Sequence, residues 1–487
     1  VSIAKKLSYK LKPYKWQLEA IAKFETMTEY ALFAEVGAGK TCAAVNGMRV
    51  KYYQHQRLLR TIIISPLVTL YNWRNEIQMH STIKEEDIIV LDVSAKRVKQ
   101  SIKALTNTRT KKLDNNKIIV VNYEAFLSED FYKLMMKWQP EMMLLDEMHY
   151  IKNYKSKRAK KIIKLAEGST YRLGLTGTPI LNTPMDIFMQ FKYLDNGATF
   201  GKNFFAFRNS YFQDAHASRA GRQGHFPKFE PIASLFPELT EKIYKKAIRV
   251  TKEECMDLPP LIKKVMYAPM NKEQLKAYKD MKKEFITLVK DKKTGENTVA
   301  IAQIALTKAL RLQQIVSGFI TDEDGNNHSF GEIPRLKLTK ELLQEITPNH
   351  KVIVWCAFKN DYESIEKICK ELKVGYGLIT GGQTLKDKQE SMERLKSEAE
   401  CRVIIANRRA GGIGINLIEA SYSIVYSRNF SLGEEIQSEA RNYRGGSQIH
   451  ERVIKIDLVT KDSIDETVLT ALTLKQDISD MIIDLKF

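Results

Sequence analysis

FAEVGAGKT, residues Phe33–Thr41, joins the short apolar run Ala31–Ala34 to CAAVNGMRVKYY, Cys42–Tyr53, which can continue as a helix. A strand, a glycine turn and a helix in that order form a phosphate-binding loop. Gly37 and Gly39 let the backbone fold with its N–H groups pointing inward. The helix start adds favourable partial charge. Lys40 can reach the outer phosphates of a nucleotide, and the Thr41 hydroxyl can ligate magnesium. The loop is shorter than the usual G-x-x-x-x-G-K-[ST] pattern, because its first glycine position falls on Ala34. A glycine turn without nucleotide is the plainer reading of the loop alone; the flanking strand and helix argue against it.

Outward from this loop the texture repeats. Thr61–Ile64 is β-branched and apolar, and Pro66 ends it; Ile118–Val121, Met142–Leu145 and Leu173–Leu175 follow. Between them lie stretches such as Lys155–Leu165, where Ala159, Ile162, Ile163 and Leu165 recur near helical spacing. Buried strands alternating with helices predict an α/β fold with a parallel sheet covered on both faces. From about Asn196 to Pro260 aromatics, glycines and prolines take over, which reads as an insertion or bridge. Helices are predicted at Asn271–Lys290 and Val299–Gln314, with the polar loop DKKTGEN between them. The alternating texture returns with strands at Val352–Trp355, Val403–Ala406, Ser423–Tyr426 and Val453–Leu458, and a helix at Tyr362–Leu372. The expected division is 1–247 and 248–487, and only the first block carries a nucleotide-loop signature.

Chemistry gathers at strand ends. DEMH, Asp146–His149, directly follows MMLL. An acidic pair there can place Asp146 on magnesium and Glu147 on the attacking water. Alone it reads equally as a helix cap; beside a phosphate loop it reads as a hydrolase. His149 is a coupler to other motifs rather than a metal ligand. LTGTP, Leu175–Pro179, offers Thr176 and Thr178 as a relay, or is an ordinary turn. In the second block, QSEARNYRGG spans Gln437–Gly446. Arg441 and Arg444 would share a helical face that ends at the double glycine, and can offset the charge of phosphoryl transfer. A salt bridge or a backbone-phosphate contact is the alternative. The glycines of AGGIGINL, Ala410–Leu417, permit close backbone approach, but no acidic ribose ligand follows at dinucleotide spacing.

Lys and Arg number 77 against 58 Asp and Glu, a formal balance of +19 that favours polyanionic partners. Lys152, Lys155, Lys157, Arg158, Lys160, Lys161 and Lys164 form the densest basic stretch, too dense for every member to face one groove. The 44% hydrophobic content excludes a disordered chain. The 5 cysteines form no CxxC pair and no cluster with the histidines, which argues against disulfide and zinc scaffolds. No apolar run reaches bilayer length, and VSIAKKLSYKLKPY lacks the core of a signal peptide. A cytoplasmic or nuclear protein is expected, depending on source, not secreted and without membrane contact.

Taken together, the motifs resemble the Swi/Snf-like group of superfamily 2 helicases and DNA translocases, from about Leu11 to Val468. EVGAGKT is similar to the family's phosphate loop, with Ala34 where the family usually has the first of an Asp-Glu pair. DEMH, RLGLTGTP, IISPLVTLYNWRNEI and VVNYEAF match in order, as do KVIVWCAF, ITGGQT, RRAGGIGINL and QSEARNYRGGSQ. IKNYKSKRAKKI, Ile151–Ile162, is the segment most particular to this group. LKPYKWQLEAI resembles the adenine-side motif. Asn407 and Arg408 depart from the small hydroxyl pair that the family prefers.

The resemblance implies two RecA-like parallel-sheet lobes with helical insertions around the interlobe region, ATP and Mg2+ as cofactors, and duplex or branched DNA as track. It implies catalytic roles for Lys40, Glu147, Arg441 and Arg444. Nucleotide contacts would come from Tyr14, Gln17, Gly37, Gly39, Lys40, Thr41, Asp146 and Gln437, and metal contacts from Thr41 and Asp146. Ser65, Asn122, Tyr123, Lys152, Lys155, Lys157, Arg158, Gly411 and Gly412 would meet DNA. The expected activity is DNA-dependent ATP hydrolysis coupled to translocation on duplex DNA, with a targeting protein as possible partner and no oligomeric state specified. Strand separation, branch migration, annealing, an RNA-dependent ATPase and a clamp with negligible turnover are the alternatives.

Overall fold

The computed structural model describes residues 3–93, 117–217, 229–291, 298–322, 324–409 and 415–483. β1 (Glu29–Ala34), β2 (Thr61–Ser65), β3 (Ile88–Leu91), β4 (Ile118–Asn122), β5 (Met142–Asp146) and β6 (Tyr171–Leu175) are laid down in turn, followed by an antiparallel hairpin of β7 (Phe212–Asp214) and β8 (Phe229–Pro231). β9 (Ala247–Val250) then completes a parallel sheet in the order β3-β4-β2-β5-β6-β1-β9. Alternate residues serve opposite faces, as the strand period requires. Ile62 and Ile64 join one core with Phe33 and Val121, while Ile63 joins the other with Leu32 and Val120. The central strands are therefore apolar throughout, because neither face is wet.

A second parallel sheet has the order β10-β17-β16-β13-β15-β14. Its strands are β10 (Leu261–Ala268), β13 (Val352–Trp355), β14 (Gly375–Ile379), β15 (Cys401–Ala406), β16 (Tyr422–Val425) and β17 (Val453–Thr460), with β11 (Phe319–Thr321) and β12 (Asn327–Ser329) forming a separate hairpin. Helices Lys272–Asp291 and Thr298–Ser317 interrupt the alternation. One compact unit comprises Val1–Asp214, Phe229–Asp257 and Lys475–Phe487; the other comprises Ala215–Lys228 and Leu258–Leu474. The division expected after residue 247 falls inside β9, which pairs with β1, so the first unit continues to Asp257. Residues 292–297 of the expected polar loop lie outside the described residues. Among the described residues, no helix is long and apolar enough to cross a membrane.

One buried acid gives the second unit a pH signature. Asp361 is 1% exposed. Its Oδ2 accepts from Phe358 N at 3.2 Å and from Ser427 Oγ at 2.5 Å. Burial pushes its carboxyl up to about 7. Between the unfolded value and that one the folded state keeps a proton that the unfolded chain has released, so stability falls as pH rises. The loss is roughly 2–4 kcal/mol between about pH 4 and pH 7. Asp361→Asn keeps an acceptor for both donors, so its melting temperature is expected to decline less steeply over that range than the parent's. Parallel profiles of the two proteins would remove Asp361 from this role.

Candidate functional site

β5, β6 and β1 are neighbours, so DEMH, LTGTP and GAGKT leave one edge of the sheet side by side at the strands' C-terminal ends. Gly39 precedes the helix Lys40–His55 with φ 83°, in the left-handed region. A Cβ there would lie 2.6 Å from Gln17 Nε2. Gln17 itself donates from Nε2 to Gly39 O at 2.9 Å and accepts at Oε1 from Tyr14 N at 2.7 Å. The expected adenine-side glutamine is thus buried and clamps the phosphate loop, while the Tyr14 ring stays 48% exposed beside it. Gly177 of LTGTP packs on the same loop: a Cβ there would meet Val36 N at 3.0 Å.

Lys40 is buried, and its ammonium donates to Ala34 O at 2.7 Å and Glu35 O at 3.2 Å. Burial lowers its pKa, and Glu147, Asp146 and Glu35 oppose that shift. Glu147 holds a left-handed backbone, φ 51°, a conformation that costs a non-glycine residue energy and is found concentrated at functional sites. Its Oε2 lies 3.3 Å from His149 Nδ1 and accepts from Thr176 Oγ1 at 3.3 Å, while His149 Nδ1 and Thr176 Oγ1 are 3.0 Å apart. Burial works to raise the Glu147 carboxyl, but the His149 hydrogen bond and Lys40 outweigh it and hold the group ionised. Asp146 is driven the other way, by burial and by the charge of Glu147. The adjacent carboxylates are thereby driven in opposite directions.

A further layer was not legible in the sequence. Trp73 Nε1 donates to Asp146 Oδ2 at 2.9 Å, and the same oxygen accepts from Ser65 Oγ at 3.3 Å and Thr69 Oγ1 at 3.4 Å. Glu35 is held by Arg249 Nη2 at 3.3 Å and Lys252 N at 3.2 Å. The backbone of the glycine loop, a buried ammonium, the Thr41 hydroxyl and two carboxylates are the kinds of group that a magnesium-bound polyphosphate requires.

Three residues expected to meet nucleic acid do not reach solvent. Ser65, Asn122 and Tyr123 are buried. Ser65 serves Asp146; Asn122 accepts from Val93 N at 3.0 Å; the Tyr123 hydroxyl donates to Asp146 O at 2.8 Å. Their polar atoms are spent bracing the strand ends. Lys152 pairs with Asp186 at 3.5 Å, and Arg158 with Glu124 at 2.6 Å above the Tyr123 and Tyr150 rings. Lys155 and Lys157 are exposed and form no ion pair among the described residues. Gly411 and Gly412 lie outside the described residues.

In the second unit, the helix Leu432–Glu439 carries Gln437 and ends before Arg441. The two arginines therefore occupy turn residues and share no helical face, contrary to expectation. Leu417 N donates to Arg441 O at 2.9 Å, and Asn442 Nδ2 donates to Ala420 O at 3.0 Å, so the chain is drawn toward the segment before β16 and off the helical path. Arg408 is buried in an ion pair with Glu435, whose other oxygen accepts from Lys455 Nζ at 2.5 Å. Burial would raise the Glu435 carboxyl, but Arg408 and Lys455 force it far down. A buried ionic cluster thus accounts for the unusual arginine.

The SNF2-related domain family matches residues 17–318, and the helicase conserved C-terminal domain matches residues 335–446. An uncharacterized ATP-dependent helicase of Mycoplasma genitalium is 26% identical over 91% of this chain and 39% of its own length. Human chromodomain-helicase-DNA-binding protein 1 is 22% identical over 89% of this chain and 24% of its own. This chain accordingly spans well under half the length of these curated relatives. The solved Sulfolobus solfataricus SWI2/SNF2 ATPase core in complex with dsDNA is 21% identical, with a TM-score of 0.44, covering 97% of this chain and 93% of that one.

Proposed function

This chain belongs to the SNF2-related family, and on that premise we propose that it is a DNA-dependent ATPase whose turnover drives movement along duplex DNA. The observation that carries the reading is the meeting of Lys40, Glu147, His149 and Thr176 where β1, β5 and β6 end side by side. In this reading each large parallel sheet is the centre of a RecA-like lobe. Lys40 and the loop N–H groups hold the outer phosphates of ATP. Glu147, kept ionised, takes the proton of the attacking water. Thr41 and Asp146 would hold magnesium, which neutralises phosphate charge when bound. Arg441 and Arg444 offset the negative charge that develops on the transferred phosphoryl group. Similarity to a DNA-binding relative and the +19 balance support DNA as the polyanion.

Trp73 becomes a positioning residue for the metal. Trp73→Phe keeps the ring and removes the N–H. The magnesium concentration for half-maximal hydrolysis is expected to rise about tenfold, the scale of losing one outer-shell partner, with nucleotide affinity little changed. An unchanged magnesium titration would detach Trp73 from the metal.

Triplex displacement tests the whole reading. ATP-driven release of a third strand, with the underlying duplex left paired, is expected of a duplex translocase. Efficient opening of a plain duplex would point to a strand-separating helicase instead. Stronger stimulation by single-stranded RNA than by duplex DNA would overturn the choice of track.

A further inference from the structure

The first unit carries an aromatic surface beside the exposed Lys155 and Lys157. Asn203 Oδ1 caps the helix Phe204–Tyr211 by accepting from Phe205 N at 2.8 Å and Ala206 N at 3.2 Å. That register sends Phe207 and Tyr211 into the core and leaves Phe205 50% exposed. The exposed ring is held in place. It meets Tyr154 edge-on at 5.7 Å, and Phe204, itself stacked on Tyr154 at 4.0 Å, also at 5.7 Å. The Arg208 guanidinium lies 5.2 Å from the Phe205 centroid and 3.9 Å from that of Phe229. Lys155 Nζ stands 5.8 Å from the Tyr154 ring, so the aromatic group continues directly into the basic stretch.

A lone exposed phenylalanine is ordinary. This one is preorganised and flanked by cations, and the other exposed residues of its helix and cap are small or polar: Asn203, Ala206, Asn209 and Ser210. The apolar area is about one ring wide, far short of what a stable protein interface buries. A ring fixed beside a basic track is the arrangement that receives an unpaired base, because every base has a π-face and its neighbouring phosphates need cations.

We propose that Phe205, braced by Tyr154 and Arg208, is a stacking platform for an unpaired nucleobase, with Lys155 and Lys157 receiving the adjoining phosphates. The inference rests on the nucleic-acid reading above and adds a preference for DNA bearing a flap, bulge or fork over uninterrupted duplex.

The test is a fluorescence titration with two DNA probes of the same duplex sequence, one blunt and one carrying a short single-stranded flap that contains 2-aminopurine. The wild type is expected to prefer the flap by about tenfold, the worth of one stacked base, and to quench the probe. Phe205→Ala is expected to lose both preference and quench, and Phe205→Trp to keep them. Phe205→Leu retains apolar bulk without a π-face and is expected to behave as Phe205→Ala. A leucine variant indistinguishable from wild type overturns the platform. So does equal flap affinity in the wild type and Phe205→Ala, or bound wild type with an unquenched flap. A wild type that binds duplex but ignores the flap overturns the platform alone; one that binds neither overturns the nucleic-acid reading as well.

Discussion

Glu147→Gln is expected to bind ATP within about twofold of the parent while turning it over roughly a hundred- to a thousandfold more slowly, the scale of losing a general base. The substitution keeps the side chain's length and its acceptor for the Thr176 hydroxyl, which lies 3.3 Å from Oε2. It removes the negative charge that His149 and Lys40 stabilise in the buried site. Nucleotide binding is expected to depend mainly on Lys40 and the loop backbone, and the Lys40 ammonium donates to Ala34 O and Glu35 O rather than to Glu147. Lys40→Ala should contrast with it by weakening binding and abolishing turnover together. Equilibrium binding of a fluorescent ATP analogue, read beside phosphate release, separates the two. An equal loss of affinity and turnover in Glu147→Gln would take the water-directed role away from this residue.

Arg444→Ala is expected to lower DNA-stimulated turnover by at least about a hundredfold, with DNA affinity changed by no more than about threefold. A residue that acts on charge developing during transfer affects the rate, whereas a phosphate-contacting residue affects binding and its salt dependence. The turn geometry sharpens this experiment. Because the helix ends at Glu439, Arg441 and Arg444 are not equivalent positions on one face. Arg441 Nη1 points back to Ile415 O at 3.5 Å, a contact within its own unit. Single substitutions should therefore differ, and a double-mutant comparison would show whether the pair acts as a unit. Retained stimulated turnover in Arg444→Ala, with weakened DNA binding, would reassign it to the nucleic acid.

Central strands were legible because burial on both faces leaves an unbroken apolar run. Val352–Trp355 reads from sequence with the limits it has in the fold. In the two large sheets the strands that escaped were β3, β9, β10 and β14, the four at the edges, and the short pairs β7–β8 and β11–β12 escaped as well. β10, LIKKVMYA, is partly exposed along most of its length, and β14, GYGLI, carries two glycines, so neither presents the buried-strand pattern. The loop, acidic pair and LTGTP were legible because their chemistry is local. Side-chain direction at strand ends was not. Ser65 and Tyr123 carry groups suited to phosphate contact, yet both turn inward to Asp146, a partner 81 and 23 residues away in sequence. The Trp73–Asp146 bond spans 73 residues and leaves no periodic trace. The early end of the Gln437 helix has the same origin, since the segment that draws the chain away lies before β16.

The most direct measurement is steady-state phosphate release with ATP and magnesium, with and without duplex DNA, by the parent protein and by Glu147→Gln. The expected result is release that duplex DNA stimulates in the parent and that Glu147→Gln slows roughly a hundred- to a thousandfold. Release indifferent to duplex DNA, or stimulated release in Glu147→Gln at close to the parent's rate, would contradict the assignment of these strand ends as a DNA-driven hydrolytic site.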